Sequence, residues 1–179
     1  MPRIIEVVDY NPLWITAFEK EAAVLNVVFG ERMLEVHHIG STAVPGLDAK
    51  PVIDILVILD NTDDINRFDR AMEDAGYRVR GECLDATIPG TPGRFYFTRE
   101  TNGIRSHHVH AYAKDHWEIS DKLAFRDYLR AHSDKAAAYG ELKRRIAAQY
   151  RLDNIGYMRA KDAFVKSTVL EARRWHAKE

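Results

Sequence analysis

The residues that could do chemistry cluster in two short segments. The first is Ile39-Gly-Ser-Thr-Ala-Val-Pro-Gly-Leu-Asp-Ala-Lys-Pro-Val-Ile-Asp-Ile-Leu56, in which Asp54 is the only charge within the apolar run Val52–Leu59. A carboxylate in an apolar strand costs several kcal/mol unless it is paired, hydrogen-bonded or bound to a metal. Two readings follow: a strand-end carboxylate satisfied by loop amides, or a metal ligand. Gly40-Ser41 offers backbone N–H groups and a hydroxyl to an anion, because a glycine permits close approach. The same pair also serves as a simple cap. Gly46 is followed by Leu-Asp-Ala-Lys rather than Lys-Ser/Thr, which excludes a Walker A phosphate loop.

The second segment is Arg105-Ser-His-His-Val-His-Ala-Tyr112. On a strand, side chains alternate, so His108, His110 and Tyr112 share one face. Two imidazoles spaced i, i+2 and a carboxylate make a common ligand set for a divalent cation. If this strand lies beside Val52–Leu59, Asp54, His108 and His110 form such a set, with His37 or His38 able to join from the other side. The competing reading is a polar cluster hydrogen-bonded at a sheet surface. The nucleotidyltransferase pattern is Gly-Ser, then Asp-x-Asp/Glu on the next strand. Here twelve residues separate Ser41 from Asp54, which fits, but position 56 is Leu56. One carboxylate does not by itself hold the paired metal ions that organise phosphoryl transfer.

These residues need elements to position them. The chain has 179 residues, suited to one domain spanning 1–179 with a sizeable core. A single cysteine, Cys83, excludes a disulfide scaffold and a CxxC zinc cluster, so a reducing cytoplasm is expected. Met1–Glu6 lacks the form of a signal peptide, and no apolar run approaches the roughly 18 residues of a membrane span. The net charge of -1 is an average: residues 1–60 sum to -5, residues 61–119 to -2 and residues 120–179 to +6. The basic last third reads either as solvated helix faces or as a wall toward an anionic ligand. No strong nucleic-acid signature is present.

Asn11-Pro12 opens a helix whose Trp14, Phe18, Ala22, Leu25 and Val28 or Phe29 recur at helical spacing up to Gly30. Residues 33–39 read as a strand, 40–51 as a shaped loop, and Val52–Leu59 as a strand buried on both faces. A helix is expected over 63–75, capped by Asn61, Thr62 or Asp63 and stopped by Gly76. Residues 77–80, 94–99 and 107–112 read as strands, with 87–93 as a loop and Tyr96 on the opposite face from Phe95 and Phe97. Helices follow over about 117–131, 134–150 and 154–175. Trp14, Phe18, Phe125, Tyr128, Tyr139 and Phe164 fall at core spacing. The order gives an α+β fold: a mixed β-sheet with an N-terminal helix and a C-terminal helical layer.

The run from Ile39 to Ile55 resembles the signature of the GrpB family. The resemblance extends to Val8-Asp-Tyr-Asn-Pro-Leu-Trp, His107-His-Val-His, Leu123-Ala-Phe-Arg-Asp-Tyr-Leu, Tyr139-Gly-Glu-Leu-Lys and Tyr157-Met-Arg-Ala-Lys-Asp. It implies a nucleotidyltransferase-like fold, a single Asp where nucleotidyltransferases carry two, and a domain that in some bacteria is fused to dephospho-CoA kinase. Carried over by motif, the candidate set is Gly40, Ser41, Lys50, Asp54, His108, His110, Arg126, Lys143 and Lys161. Asp54, His108 and His110 would hold a divalent cation (Mg, Mn or Zn), the histidines replacing the missing carboxylates. Asp54 and Ser41 would serve catalysis. Gly40, Ser41, Lys50, Arg126, Lys143 and Lys161 would contact phosphate. The expected partner is a nucleotide or other phosphorylated small molecule, and a membrane is not expected. Three functions are compatible: metal-assisted nucleotidyl or phosphoryl transfer, a non-catalytic nucleotide- or CoA-type binding module, and a metal-dependent hydrolase.

Overall fold

The structure is a computed structural model that describes residues 4–82 and 91–177. Cys83 and residues 87–90 of the expected loop lie outside the described residues. Helix α1 (Leu13–Phe29) leads into β1 (Met33–Ile39), and β2 (Ile53–Leu59) follows a shaped loop. Then come α2 (Asp69–Asp74), β3 (Arg78–Glu82), β4 (Phe95–Thr101) and β5 (Ile104–Ala113). The helices α3 (Glu118–Ala131), α4 (Ser133–Gln149) and α5 (Asn154–His176) complete the order. The architecture is α+β, as its sequence pattern predicts. Among the described residues, no helix is long and apolar enough to cross a membrane.

The chain divides into two compact units. The first, the sheet unit, comprises Leu13–Ile39 and Val52–Ile119. Its five strands run in the order β1-β2-β5-β4-β3. β2 pairs antiparallel with β1 and parallel with β5, and the remaining pairs are antiparallel. β2 holds an interior place because its β-branched, apolar side chains suit burial on both faces. Ile53, Ile55, Leu56, Val57, Ile58 and Leu59 are all buried. One sheet face packs on α1 and the α2 region, where the Phe29 ring meets Phe68 at 5.0 Å and Phe97 at 6.4 Å. Burying each such side chain contributes about 2 kcal/mol.

The expected helix over 63–75 is shorter than its periodicity suggests. A 3-10 turn occupies Ile65–Phe68, and α2 begins only at Asp69. Asp64 has a non-helical backbone, φ -122 and ψ 28. Its carboxylate accepts from Arg32 and Arg67, each at 2.9 Å. Asp64 therefore serves ion pairs instead of a first helical turn.

The second, the helical unit, comprises residues 4–12, 40–51 and 120–177. One core cluster gathers Val44, Leu47, Leu129, Ala136 and Tyr139, against which Phe125, Leu142, Phe164 and Val165 pack. A second gathers Ile5, Val7, Ile146, Ala147 and Tyr157. Tyr139 stacks on Phe164 at 4.8 Å and meets Phe125 edge-on at 5.7 Å. These aromatic rings are core, as their spacing implies. The loop 40–51 is anchored at Ala49, which bridges to Val8.

Candidate functional site

Strand register builds the first constellation, which lies wholly in the sheet unit. Asp54 is the register partner of His108 across the parallel β2–β5 pair, and Leu56 is the partner of His110. All four therefore face the same side of the sheet. His108 Nδ1 lies 2.9 Å from Asp54 Oδ1 and His110 Nε2 lies 3.9 Å from it. One ligand atom from each of the three residues lies within 4.8 Å of the others, an arrangement that could hold a metal ion. Among the described residues this is the one group of three or more acidic, His or Cys side chains so placed.

Its electrostatics suit a cation. Burial, the largest single influence on Asp54, pushes its carboxyl up. The imidazoles of His108 and His110 more than reverse this, by hydrogen bonding and by charge, and hold it well below the usual carboxylate range. The ionised carboxylate accepts, so His108 donates from Nδ1. His108 Nε2 is buried with no hydrogen-bond partner, which marks this imidazole as having unused ligating capacity.

A third strand supports the pair of histidines. Tyr96 on β4 is the register partner of His110 and Thr98 is the partner of His108. The Tyr96 ring stacks on His110 at 5.1 Å and tilts against His108 at 5.4 Å. The β4–β5 hairpin turns through Asn102 and Gly103, with φ of 53 and 75. The turn pairs Thr101 with Ile104, and a register shift between Arg99 and Glu100 then carries Tyr96 opposite His110 rather than Val109. Sequence reasoning put Tyr96 opposite its neighbours without giving it a role, and the Asn-Gly turn alone would have set it against Val109, since the irregularity beside Arg99 has no local signal. Further along the same β5 face, Tyr112 donates to Glu118 at 2.5 Å, and Thr91 donates to the other Glu118 oxygen at 3.1 Å.

The two upstream histidines do not join this group. His37 shares the Asp54 face but bonds Glu35 through Nε2 at 2.8 Å. His38 points to the opposite face and stacks on Phe18 of α1 at 4.9 Å.

The helical unit holds the remaining expected residues. Gly40 adopts φ 70 and ψ -169, a region open essentially to glycine alone, and starts a 3-10 turn over Ser41–Ala43. Arg130 of α3 donates to the Ala43 carbonyl at 2.9 Å, a brace the sequence reading missed. Lys143 is buried at 3% exposure, its Nζ donates to the Asp48 carbonyl and it lies 4.6 Å from the Tyr139 ring. Lys50 and Lys161 approach the Tyr157 ring at 5.0 and 5.8 Å. Three of the four expected phosphate-binding cations thus converge. Arg126 instead forks onto Asp127, its neighbour on α3, at 2.7 and 2.9 Å.

Comparison with known proteins agrees with this reading of fold and motif. The family described as GrpB protein matches residues 4–171. The UPF0157 protein YqkA of Bacillus subtilis is 39% identical over 173 residues, 97% of this chain. The chain spans 48% of YqkA's own length, about half. The crystal structure of the conserved protein GrpB from Enterococcus faecalis superposes with a TM-score of 0.86 at 40% identity, covering 96% of this chain and 99% of that one. Terminal uridylyl transferase 4 from Trypanosoma brucei, with bound dUTP, superposes with a TM-score of 0.54 at 12% identity, covering 94% and 56%. That more distant likeness is one of fold, and the fold is nucleotidyltransferase-like. The Gly40-Ser41 to Asp54 signature, the β5 histidines and the match over residues 4–171 agree, and the chain belongs to the GrpB family.

Proposed function

We propose that the protein binds a divalent cation through Asp54, His108 and His110 and acts on a nucleotide or other phosphorylated small molecule by nucleotidyl or phosphoryl transfer. The observation that carries this reading is the convergence of those three side chains on one face of a nucleotidyltransferase-like sheet. Leu56 occupies the place where nucleotidyltransferases carry a second carboxylate, and its register partner is His110. An imidazole on the neighbouring strand thus stands in for the absent carboxylate. Two imidazoles and one carboxylate favour zinc or manganese over magnesium. A cation there would neutralise phosphate charge and activate a bound hydroxyl or water. Asp54 orients His108, Tyr96 fixes the plane of His110, and both imidazoles stay aimed without reorganisation.

In this proposal Gly40, Ser41, Lys50, Lys143 and Lys161 are the phosphate contacts, and Ser41 contributes its hydroxyl to catalysis. Residues 1–179 act as one functional domain. The single cysteine of the sequence supports a cytoplasmic setting.

A second reading is a binding module without chemistry, for a nucleotide or a CoA-type ligand. It is favoured by Leu56, since β2 presents one carboxylate rather than two. Thermal unfolding with ATP, GTP, CTP, UTP or CoA, each with and without Mn²⁺ or Mg²⁺, separates the two. Stabilisation that needs the metal and is lost in Asp54→Ala is the result expected for the transferase. Stabilisation that survives a chelator supports the module. No stabilisation by any ligand contradicts both.

A further inference from the structure

The amine of Lys143 sits in an environment that disfavours its charge until an anion arrives. It lies on α4, buried against Tyr139, with the Asp48 backbone carbonyl as hydrogen-bond acceptor. Of the charges that act most strongly on it, Lys161 of α5, Lys50 of the loop and Arg144 of α4 are positive, and Asp48 is negative. The Asp48 carboxylate is itself gripped by Arg144 Nε at 2.5 Å, and Arg144 reaches on to Asp9. Tyr157, beneath Lys50 and Lys161, is buried and its hydroxyl is pushed up by burial, so it stays neutral. Three amines are therefore gathered beside neutral rings, and the Asp48 carboxylate that acts on Lys143 already serves a guanidinium. Like charges held this closely disfavour full protonation and are relieved by a bound anion.

We propose that Lys50, Lys143 and Lys161 together bind a phosphate-class dianion, and that binding takes up a proton from solvent at the Lys143 amine. This rests on the reading of these residues as phosphate contacts and adds the proton. In the absence of anion, burial foremost, then Lys161, push Lys143 down to about 7, against the opposing pull of Asp48. Slightly above neutral pH the amine is thus largely neutral, donating to the Asp48 carbonyl. A dianion beside it favours the ammonium, and the proton comes from the buffer.

The experiment is isothermal titration of the full chain with inorganic phosphate and, in parallel, sulfate, at about pH 8, where both are mainly dianions. It is run with a chelator present, so Asp54, His108 and His110 play no part. The expected result is that both anions bind and that the observed enthalpy varies with the ionisation enthalpy of the buffer, reporting uptake of more than about half a proton. Affinity falls several-fold, up to about tenfold, per pH unit above neutrality. Lys161→Gln weakens binding and, by removing a positive neighbour that holds Lys143 down, reduces the uptake, while Lys143→Met abolishes it. Binding with no buffer dependence, or with uptake that persists in Lys143→Met, overturns the proton coupling and leaves the phosphate contacts standing. Failure of either anion to bind at millimolar concentration overturns both. The buffer dependence is read on the parent chain, so the test survives a variant that does not fold.

Discussion

His108 donates to Asp54 across 2.9 Å because the two are register partners on adjacent parallel strands. Parallel pairing of β2 with β5 requires a long connection, and α2, β3 and β4 all lie within it. The metal-capable group therefore depends on the whole sheet unit, since residues 54 positions apart meet only when that connection has folded. Of the two histidines that take no part, alternation turns His38 to the far face, whereas His37 shares the Asp54 face and bonds Glu35 instead.

The far face carries its own part-buried ion pair. Glu21 of α1 is 8% exposed, accepts from the Tyr77 hydroxyl at 2.6 Å and pairs with Arg99. Removing the carboxylate leaves Arg99 and the Tyr77 hydroxyl without it. We expect Glu21→Ala to lose about 3 kcal/mol in urea unfolding. Tyr77→Phe keeps the ion pair and should lose about 1 kcal/mol. Equal losses in the two variants would contradict the ion pair's role.

Gly40 is the backbone pivot from β1 into the Ser41–Ala43 turn. Its φ of 70 with ψ of -169 is strained for any residue with a Cβ. Gly40→Ala should cost about 1–3 kcal/mol in denaturant unfolding. Gly30→Ala, at φ 54 with nothing within 4 Å of its added Cβ, is the comparison. Its left-handed conformation is one that other residues visit at lower cost. A smaller loss at Gly40 than at Gly30 would contradict the assignment.

Much of this was legible in the residues. The alternation of His108 and His110 and the apolar run around Asp54 give the strand faces, and the first helix and the last three follow their periodicity closely. What could not be read was which strands are neighbours. The pairing of β2 with β5, and with it the Leu56–His110 partnership, is set by tertiary register, which no local pattern encodes. α2 is shorter than its pattern because the segment after the expected cap at Asn61, Thr62 or Asp63 leaves helical geometry at Asp64, which Arg32, far away in sequence, engages. Arg126 looked like its basic neighbours, yet an adjacent acid on its own helix takes its guanidinium. Lys143 is indistinguishable by sequence from a solvated helix lysine, and only packing against Tyr139 reveals it.

Lys143 gives the fold a defined pH dependence. Its folded value of about 7 lies below that of the unfolded chain, so between the two the unfolded state binds more protons. Stability from this group is therefore greatest at alkaline pH, falls as pH is lowered from about 10 toward 7, and levels off below that. Urea unfolding of Lys143→Met against the parent should show a difference that grows in the variant's favour across this window. The growth should be on the order of a few kcal/mol. A difference independent of pH would contradict a depressed lysine.

The central claim is that Asp54, His108 and His110 hold a divalent cation. Its most direct measurement is titration of chelator-stripped protein with Mn²⁺ and with Zn²⁺, comparing the parent with a His108→Ala/His110→Ala variant whose fold is verified by circular dichroism. The account predicts a single saturable site per chain in the parent, with binding weakened at least about a hundredfold in the variant. Equal binding by the folded variant and the parent, or no binding by the parent, would contradict it.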